Sequence, residues 1–135
     1  MSQLILIRGL PGSGKSQLAS TLWYDSFLQK ETAEWCETDD YFTKEGRYKF
    51  NPQQLGDAHD WCQKRAAKAM QESTTTVIVS NTFTQLWELQ PYLDMAKAYD
   101  YTIQVLHCEG NFGSVHGVPE ETIRKMKARW EPYVS

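Results

Sequence analysis

Residues 4–16 read LILIRGLPGSGKS, and this stretch decides the fold of the chain. Its first four residues are apolar, which predicts a buried strand. The run from Gly9 to Ser16 fits the pattern G-x-x-x-x-G-K-[ST] at every position. Strand, glycine-rich loop and helix follow in the order that a phosphate-binding P-loop requires. A glycine-rich turn without a ligand is the weaker alternative, because it would need none of the flanking elements.

Each residue type in this loop has a part in holding phosphate. The glycines let backbone N–H groups curl around a β-phosphate. Lys15 brings a positive charge to the β- and γ-phosphates, and the hydroxyl of Ser16 can bind Mg²⁺. We therefore expect ATP and Mg²⁺ as ligands. The residues expected to hold the nucleotide are Gly9, Pro11, Gly12, Ser13, Gly14, Lys15, Ser16 and Gln17.

The composition indicates a single domain over residues 1–135. Charged residues make up 23% of the chain and apolar residues 41%, which are ordinary values for a globular protein. No apolar run reaches the roughly 18 residues that span a bilayer. Residues 1–3 lead directly into the first strand and leave no space for an export signal, so we expect a cytoplasmic protein without a membrane partner.

Net charge and cysteine content exclude several classes of site. A net charge of −3 gives no overall attraction to nucleic acid, so a polynucleotide would need a local basic patch. Cys36, Cys62 and Cys108 lie far apart and form no C-x-x-C pair. This argues against a disulfide framework or a zinc site, and we expect reduced, half-buried thiols.

Helical and strand patterns alternate along the chain. Helical spacing of apolar residues predicts helices at 17–29, 53–70, 86–99 and 119–130, the third with Pro91 inside it. Apolar and β-branched runs predict further strands at 35–38, 76–79 and 102–106. Residues 41–52 and 109–117 are expected to be loops, the first of them functional. The alternation predicts an α/β P-loop NTPase fold of the nucleotide-kinase type, with three layers and a small parallel sheet.

Polar residues follow two of the predicted strands. Asp39 and Asp40 come after the second strand, and Asn81 and Thr82 come after the third. In a parallel sheet of this kind, ligands bind outside the carboxyl ends of the strands. We therefore expect these residues to lie near the P-loop.

Four segments together resemble the bacteriophage polynucleotide 5′-kinases and the small P-loop ATPases related to them. They are Gly9 to Ser16, Asp39-Asp40-Tyr41, Val77 to Thr82, and Val118-Pro119 before the last helix. The resemblance spans nearly the whole chain. It implies a kinase that transfers the γ-phosphoryl group of ATP to a hydroxyl acceptor, the 5′-hydroxyl of a nucleic acid or nucleotide.

The resemblance also assigns roles to the acidic pair. It implies that Asp39 is the general base that takes the proton from the acceptor hydroxyl. A hydroxyl attacking a γ-phosphoryl group does need a nearby carboxylate to orient it, while Lys15 and Mg²⁺ stabilise the transferred charge. Asp39 could instead hold a magnesium-bound water or cap the loop, but Asp40 suits those two roles better. Ser16 and Asp40 are thus the expected magnesium ligands.

The chain departs from the phage kinases in three places. Phe42 replaces an arginine that holds the acceptor phosphate there, Asn81 replaces an acidic residue, and the segment before His116 is short. These differences leave two alternatives open. One is a small-molecule or protein kinase with the same fold. The other is an ATP-binding interaction module with little turnover, such as a phage-encoded modulator of a host protein.

Two basic segments are candidate phosphate contacts. The last helix carries Arg124 and Arg129, and the resemblance implies that a basic residue there closes over the transferring phosphate. We assign Arg129 first and Arg124 second, with a solvated basic face as the alternative. The loop at 41–52 carries Lys44, Arg47 and Lys49, which could bind a polyanionic acceptor.

The remaining candidates have structural alternatives of equal or greater weight. His116 could contact phosphate, but a role in loop structure is the better interpretation. His59 is expected to be a core histidine, because it shares a helix face with apolar residues. Four aromatic residues in the 41–52 loop could stack on a base or pack the loop onto the domain: Tyr41, Phe42, Tyr48 and Phe50.

Overall fold

A computed structural model describes residues 2–44, 46–112 and 117–134 of the chain. The sequence predictions for His116 and for the side chain of Lys44 lie outside the described structure. Within the described part, no helix is long and apolar enough to cross a membrane.

The order of elements confirms the predicted alternation of strands and helices. The strands are β1 (Gln3–Gly9), β2 (Ala33–Cys36), β3 (Thr43–Lys44), β4 (Arg47–Tyr48), β5 (Thr76–Asn81) and β6 (Thr102–Cys108). The helices are α1 (Lys15–Leu28), α2 (Leu55–Gln71), α3 (Leu86–Ala98) and α4 (Glu120–Ala128). Short 3-10 helices cover Thr38–Phe42 and Pro52–Gln54.

Four strands form one parallel sheet in the order β2-β5-β1-β6. β1 is central, with Leu4 opposite Val77 of β5 on one side and Ile103 of β6 on the other. The strand that ends in the P-loop therefore lies between two strands whose carboxyl ends flank it. This position brings residues from distant parts of the chain to one edge of the sheet.

The core divides between the two faces of the sheet, as strand alternation requires. Leu4 and Leu6 of β1 are fully buried on the face that packs against α2 and α3. Ile5 and Ile7 point to the other face and pack with Ala19 of α1. The fold is therefore the predicted α/β arrangement of three layers.

β2 ends two residues earlier than the sequence indicates. Its last pair joins Cys36 to Val79 of β5. The backbone N–H of Thr38 then donates to the side-chain Oδ1 of Asn81 at 2.8 Å instead of to a strand. The Asn81 side chain thus accepts the hydrogen bond that a neighbouring strand would otherwise accept. The strand ends there, and a 3-10 helix follows.

The segment 41–52, predicted to be a loop, contains regular structure. Its first residues complete the 3-10 helix Thr38–Phe42, and β3 and β4 form an antiparallel hairpin. Phe42 is 2% exposed and packs edge-on against the rings of Tyr48 and Phe50. The loop prediction was wrong here because aromatic packing organises a segment that lacks a helical or strand period.

The cysteines are free thiols, but two of the three are more buried than predicted. Cys36 and Cys62 are fully buried, and only Cys108 is half-buried. Burial raises the pKa of the Cys62 thiol, so this side chain behaves as a small apolar core residue.

Arg8 is a buried cation for which the sequence gives no signal. It is 2% exposed near the end of β1, and its Nε donates to the carbonyl oxygen of Phe83 at 3.0 Å. The ring of Trp130 covers its guanidinium group at 4.2 Å. Arg8 thereby ties the central strand to the β5–α3 connection and to the segment after α4.

We predict that Arg8→Met lowers the free energy of unfolding by about 2 kcal/mol, because buried carbonyl oxygens lose their donor and Trp130 loses its cation. Urea unfolding measures the change. Arg47→Met is the matched control, since Arg47 is exposed, and it should change the same free energy by less than about 0.5 kcal/mol. Equal effects of the two substitutions would contradict the structural role given to Arg8.

Candidate active site

The P-loop has the backbone conformation that its glycines predict. Gly12 and Gly14 have φ values of 80° and 96°, which L-residues with side chains rarely adopt. α1 begins directly afterwards at Lys15, so its unpaired N–H groups face the loop. The hydroxyl of Ser13 is buried and has no hydrogen-bond partner in the described part of the chain. Open N–H groups and an unpaired hydroxyl fit a phosphate ligand.

Lys15 lies across the P-loop and faces acidic residues. Its Nζ donates to the carbonyl oxygen of Leu10 at 3.0 Å. Burial lowers the pKa of Lys15, and the charges of Asp39 and Glu37 oppose that shift. The loop cation is therefore close to both carboxylates, on the side where a γ-phosphate would extend.

Glu37 is a site residue that the sequence patterns did not indicate. Its Oε1 accepts hydrogen bonds from the hydroxyl of Ser16 at 2.7 Å and from that of Ser80 at 2.6 Å. The indole Nε1 of Trp35 donates to the Ser80 hydroxyl at 3.1 Å and orients it. One carboxylate oxygen thus connects the start of α1, the end of β2 and the end of β5.

The oxygens around Ser16 fit a magnesium ion. A serine hydroxyl and a carboxylate are the hard ligands that Mg²⁺ prefers, and the ion takes its other ligands from water and phosphate. In the described part of the chain, no three His, Cys, Asp or Glu side chains form a metal site of their own. Ser16 and Glu37 are therefore the residues that would hold magnesium together with a bound nucleotide.

Asp40, the predicted second magnesium ligand, contacts a different partner. Its Oδ2 lies 3.9 Å from Nη1 of Arg65, which also pairs with Glu34. Burial raises the pKa of Asp40, and the negative charge of Glu37 raises it further. The structure thus places Glu37 instead of Asp40 against Ser16. Asp40 stays a prediction as a magnesium ligand.

Asp39, the predicted base, is exposed at the same edge of the sheet. Its Oδ1 accepts a hydrogen bond from the phenol of Tyr48 at 3.4 Å. Burial, together with the charge of Asp39, raises the pKa of Tyr48 to about 12. Tyr48 therefore keeps its proton at neutral pH and acts as a donor that orients the carboxylate.

Asn81 and His59 support the 3-10 helix. The Asn81 side chain is 9% exposed, and its amide nitrogen lies 3.9 Å from the Cys62 sulfur. Its side-chain oxygen is bonded to the backbone N–H of Thr38. His59 is half-buried with Nδ1 3.5 Å from the Thr38 hydroxyl, so it is not the core histidine that we expected.

The side chain of Arg129, the first choice for the residue that closes over the transferring phosphate, bonds to the β5–α3 connection. Its Nε donates to the hydroxyl of Thr84 in the β5–α3 connection at 3.2 Å. The backbone N–H of Glu131 donates to the Thr84 carbonyl oxygen at 2.8 Å. Both bonds fix the chain after α4 to the body of the domain. Arg124 is exposed on α4 and stays a prediction for the phosphate contact.

An aromatic pocket lies beside the acidic 3-10 helix. It is a half-open pocket with a volume of about 380 Å³, and its lining includes the edge-on rings of Tyr41 and Phe42. Phe50 packs against Phe42 but is 49% exposed, so about half of this residue remains accessible. The residues that line the pocket are Tyr41, Phe42, Lys49, Phe50, Asn51, Pro52 and Gln54. The aromatic residues of this segment therefore differ in role. Phe42 packs the segment onto the domain, whereas Phe50 remains accessible to a ligand.

Comparison with known proteins identifies the family. Residues 4–111 match the family described as an AAA domain. The chain belongs to this family. This AAA domain is similar to part of human NEDD4-binding protein 2, with 37% identity over 143 residues. The match covers 98% of this chain and 8% of that protein, so the chain spans a small part of its relative.

Two solved structures show the likeness in fold. Kti12 from Chaetomium thermophilum in complex with ADP-AlF3 matches with a TM-score of 0.67 and 15% identity, covering 96% of this chain and 80% of that one. The APS kinase CysC of Mycobacterium tuberculosis, as a Cys-to-Ala mutant, matches with a TM-score of 0.60 and 10% identity over 95% and 96% of the two chains. This AAA domain therefore has a P-loop kinase fold.

Proposed function

We propose that this domain transfers the γ-phosphoryl group of ATP to a hydroxyl acceptor, the 5′-hydroxyl of a nucleic acid or nucleotide. The observation that supports it is the grouping of Lys15, Glu37 and Asp39 around the end of the P-loop. This grouping supplies a cation for phosphate, a carboxylate for the metal and a carboxylate for the acceptor. Phosphoryl transfer needs these three functions at one place.

The chain's own residues account for most of the mechanism. Backbone N–H groups of the P-loop bind the β-phosphate, and Lys15 neutralises charge on the β- and γ-phosphates. Asp39, oriented by Tyr48, accepts the proton of the attacking hydroxyl. Magnesium, held by Ser16 and Glu37, would supply further positive charge to the same phosphates.

The acceptor assignment rests on the aromatic pocket and the hairpin beside it. The open ring of Phe50 offers a face on which a base can stack. Lys49 lines the same pocket, and Arg47 is exposed on the adjoining strand β4. A base and a phosphate would thus meet an aromatic face and positive charges close to Asp39.

A small-molecule acceptor is the second candidate. The 380 Å³ pocket has the size of a small-molecule site, and the structurally similar CysC is an APS kinase. An ATP-binding module that acts through a protein partner is the third candidate, and the name of the human relative supports it. Both candidates keep nucleotide binding at the P-loop. They differ from the proposal in the partner of the bound ATP, which is a small-molecule acceptor in the second candidate and a protein in the third.

Transfer to 5′-hydroxyl oligonucleotides from γ-labelled ATP tests the proposal. The wild-type protein should label these oligonucleotides, and Lys15→Met should not, because the loop loses its only cation. 5′-phosphorylated oligonucleotides are the matched control and should stay unlabelled. Label on small molecules alone would favour the second candidate, and ATP binding without transfer would favour the third.

Asp39→Asn tests the proposed base. The amide cannot accept the proton but keeps the size of the side chain, so kcat should fall by about 100-fold or more. ATP affinity should change little, because Asp39 faces the acceptor and not the loop amides. Initial rates and calorimetric titration with ATP measure the two quantities. An unchanged kcat in a folded variant would remove Asp39 from the chemistry.

Glu37→Gln tests the assignment of the metal carboxylate. The amide can still accept hydrogen bonds from Ser16 and Ser80, but it lacks the negative charge that holds Mg²⁺. The magnesium concentration needed for half-maximal activity should rise by roughly tenfold. Asp40→Asn is the control and should leave this requirement unchanged. The reverse result would restore Asp40 as the magnesium ligand.

The double variant Arg47→Ala, Lys49→Ala tests the acceptor site. For an oligonucleotide acceptor, its KM should rise and the slope of log affinity against log salt should become flatter, by about one unit for each lost phosphate contact. ATP affinity should be retained. An unchanged KM and salt slope would exclude this hairpin as the polyanion contact.

A further inference from the structure

The order of the strands gives the bound triphosphate a direction. β2 and β5 lie on one side of the central strand β1, and β6 lies on the other. Glu37 and Asp39 follow β2, so the end of the P-loop where transfer is proposed faces the β2–β5 side. A triphosphate that lies across the P-loop with its γ-phosphate at that end would have its nucleoside end toward β6 and the loop after it.

Phe112 stands in that loop, against the P-loop itself. Its backbone N–H donates to the carbonyl oxygen of Gly12 at 2.8 Å. Its ring edge is so close to Gly14 that a Cβ there would lie 3.2 Å from Cε2. A Cβ on Gly110 would collide with the same ring edge and would lie 2.8 Å from the Ser13 carbonyl oxygen. Two glycines thus make room for this ring beside the P-loop.

The position of the ring is unusual for an apolar side chain. Phe112 is 76% exposed, although its backbone is anchored to the P-loop. Burial in the core does not account for the close packing of Gly14 and Gly110, because most of the ring remains open. An exposed aromatic ring with its backbone anchored to a phosphate loop is a suitable surface for a nucleobase, since every base offers a π-face.

We propose that the base of bound ATP stacks on the ring of Phe112. This inference rests on the proposed function, because the direction of the triphosphate is set by the transfer site at Asp39. The stacking site at Phe112 and the aromatic pocket at Phe50 are then separate sites. One receives the base of the donor, and the other receives the acceptor.

Calorimetric titration of the full chain with two magnesium complexes, of ATP and of inorganic tripolyphosphate, tests the inference. Phe112→Ala should weaken ATP binding by roughly 5- to 100-fold, since stacking on the base is lost. Binding of tripolyphosphate should be unchanged, because it has no base. Phe112→Tyr keeps an aromatic face and should bind ATP as the wild type does. Phe50→Ala, at the acceptor pocket, should leave ATP affinity unchanged.

Three results would overturn the inference. Equal weakening of ATP and tripolyphosphate would make Phe112 a support for the P-loop backbone. Unchanged ATP affinity in Phe112→Ala would place the base elsewhere, while transfer by the wild type would still support the proposed function. Loss of ATP affinity in Phe50→Ala but not in Phe112→Ala would show that the base of ATP binds at Phe50 instead of at Phe112. A wild type that binds ATP by way of Phe112 but transfers nothing would instead contradict the proposed function alone.

Discussion

The carboxylate of Glu37 is the constraint on which the site depends. A single oxygen accepts from Ser16 and Ser80, so it fixes the start of the P-loop helix against two strand ends. Hydroxyl donors hold the charge in place without neutralising it. The carboxylate can therefore stay oriented toward the P-loop and still attract a cation. Its negative charge also acts on Lys15, whose pKa burial lowers.

The sequence predicts those parts of the site that are local in the chain. The P-loop, the strand before it and the helix after it can be predicted from residues 4–16, because glycine φ values and an apolar run are local properties. Glu37 could not be found in this way, since its partners are 21 and 43 residues distant. The sequence does contain one indication of Glu37, an acidic residue two positions before Asp39. Glu37 falls inside the strand predicted at 35–38, however, so the pattern assigns it to the strand and not to the site.

Two of the side chains that the sequence assigns to the phosphate site are bonded to other protein groups in the structure. In the sequence, Asn81 is assigned to the phosphate site because it follows a strand. Arg129 is assigned there because it lies on a basic helix. In the structure, Asn81 holds the N–H of Thr38, and Arg129 donates to Thr84. Unpaired backbone and hydroxyl groups near the site compete for polar side chains. The sequence pattern indicates the side chains that are close to the site but not those that remain open to a ligand.

The most direct test is a crystal structure with a non-hydrolysable ATP analogue and Mg²⁺. We expect the γ-phosphate between Lys15 and Asp39, the metal beside Ser16 and Glu37, and the base on the β6 side at Phe112. A γ-phosphate directed toward β6, or a metal held by Asp40 without Glu37, would contradict the proposed site.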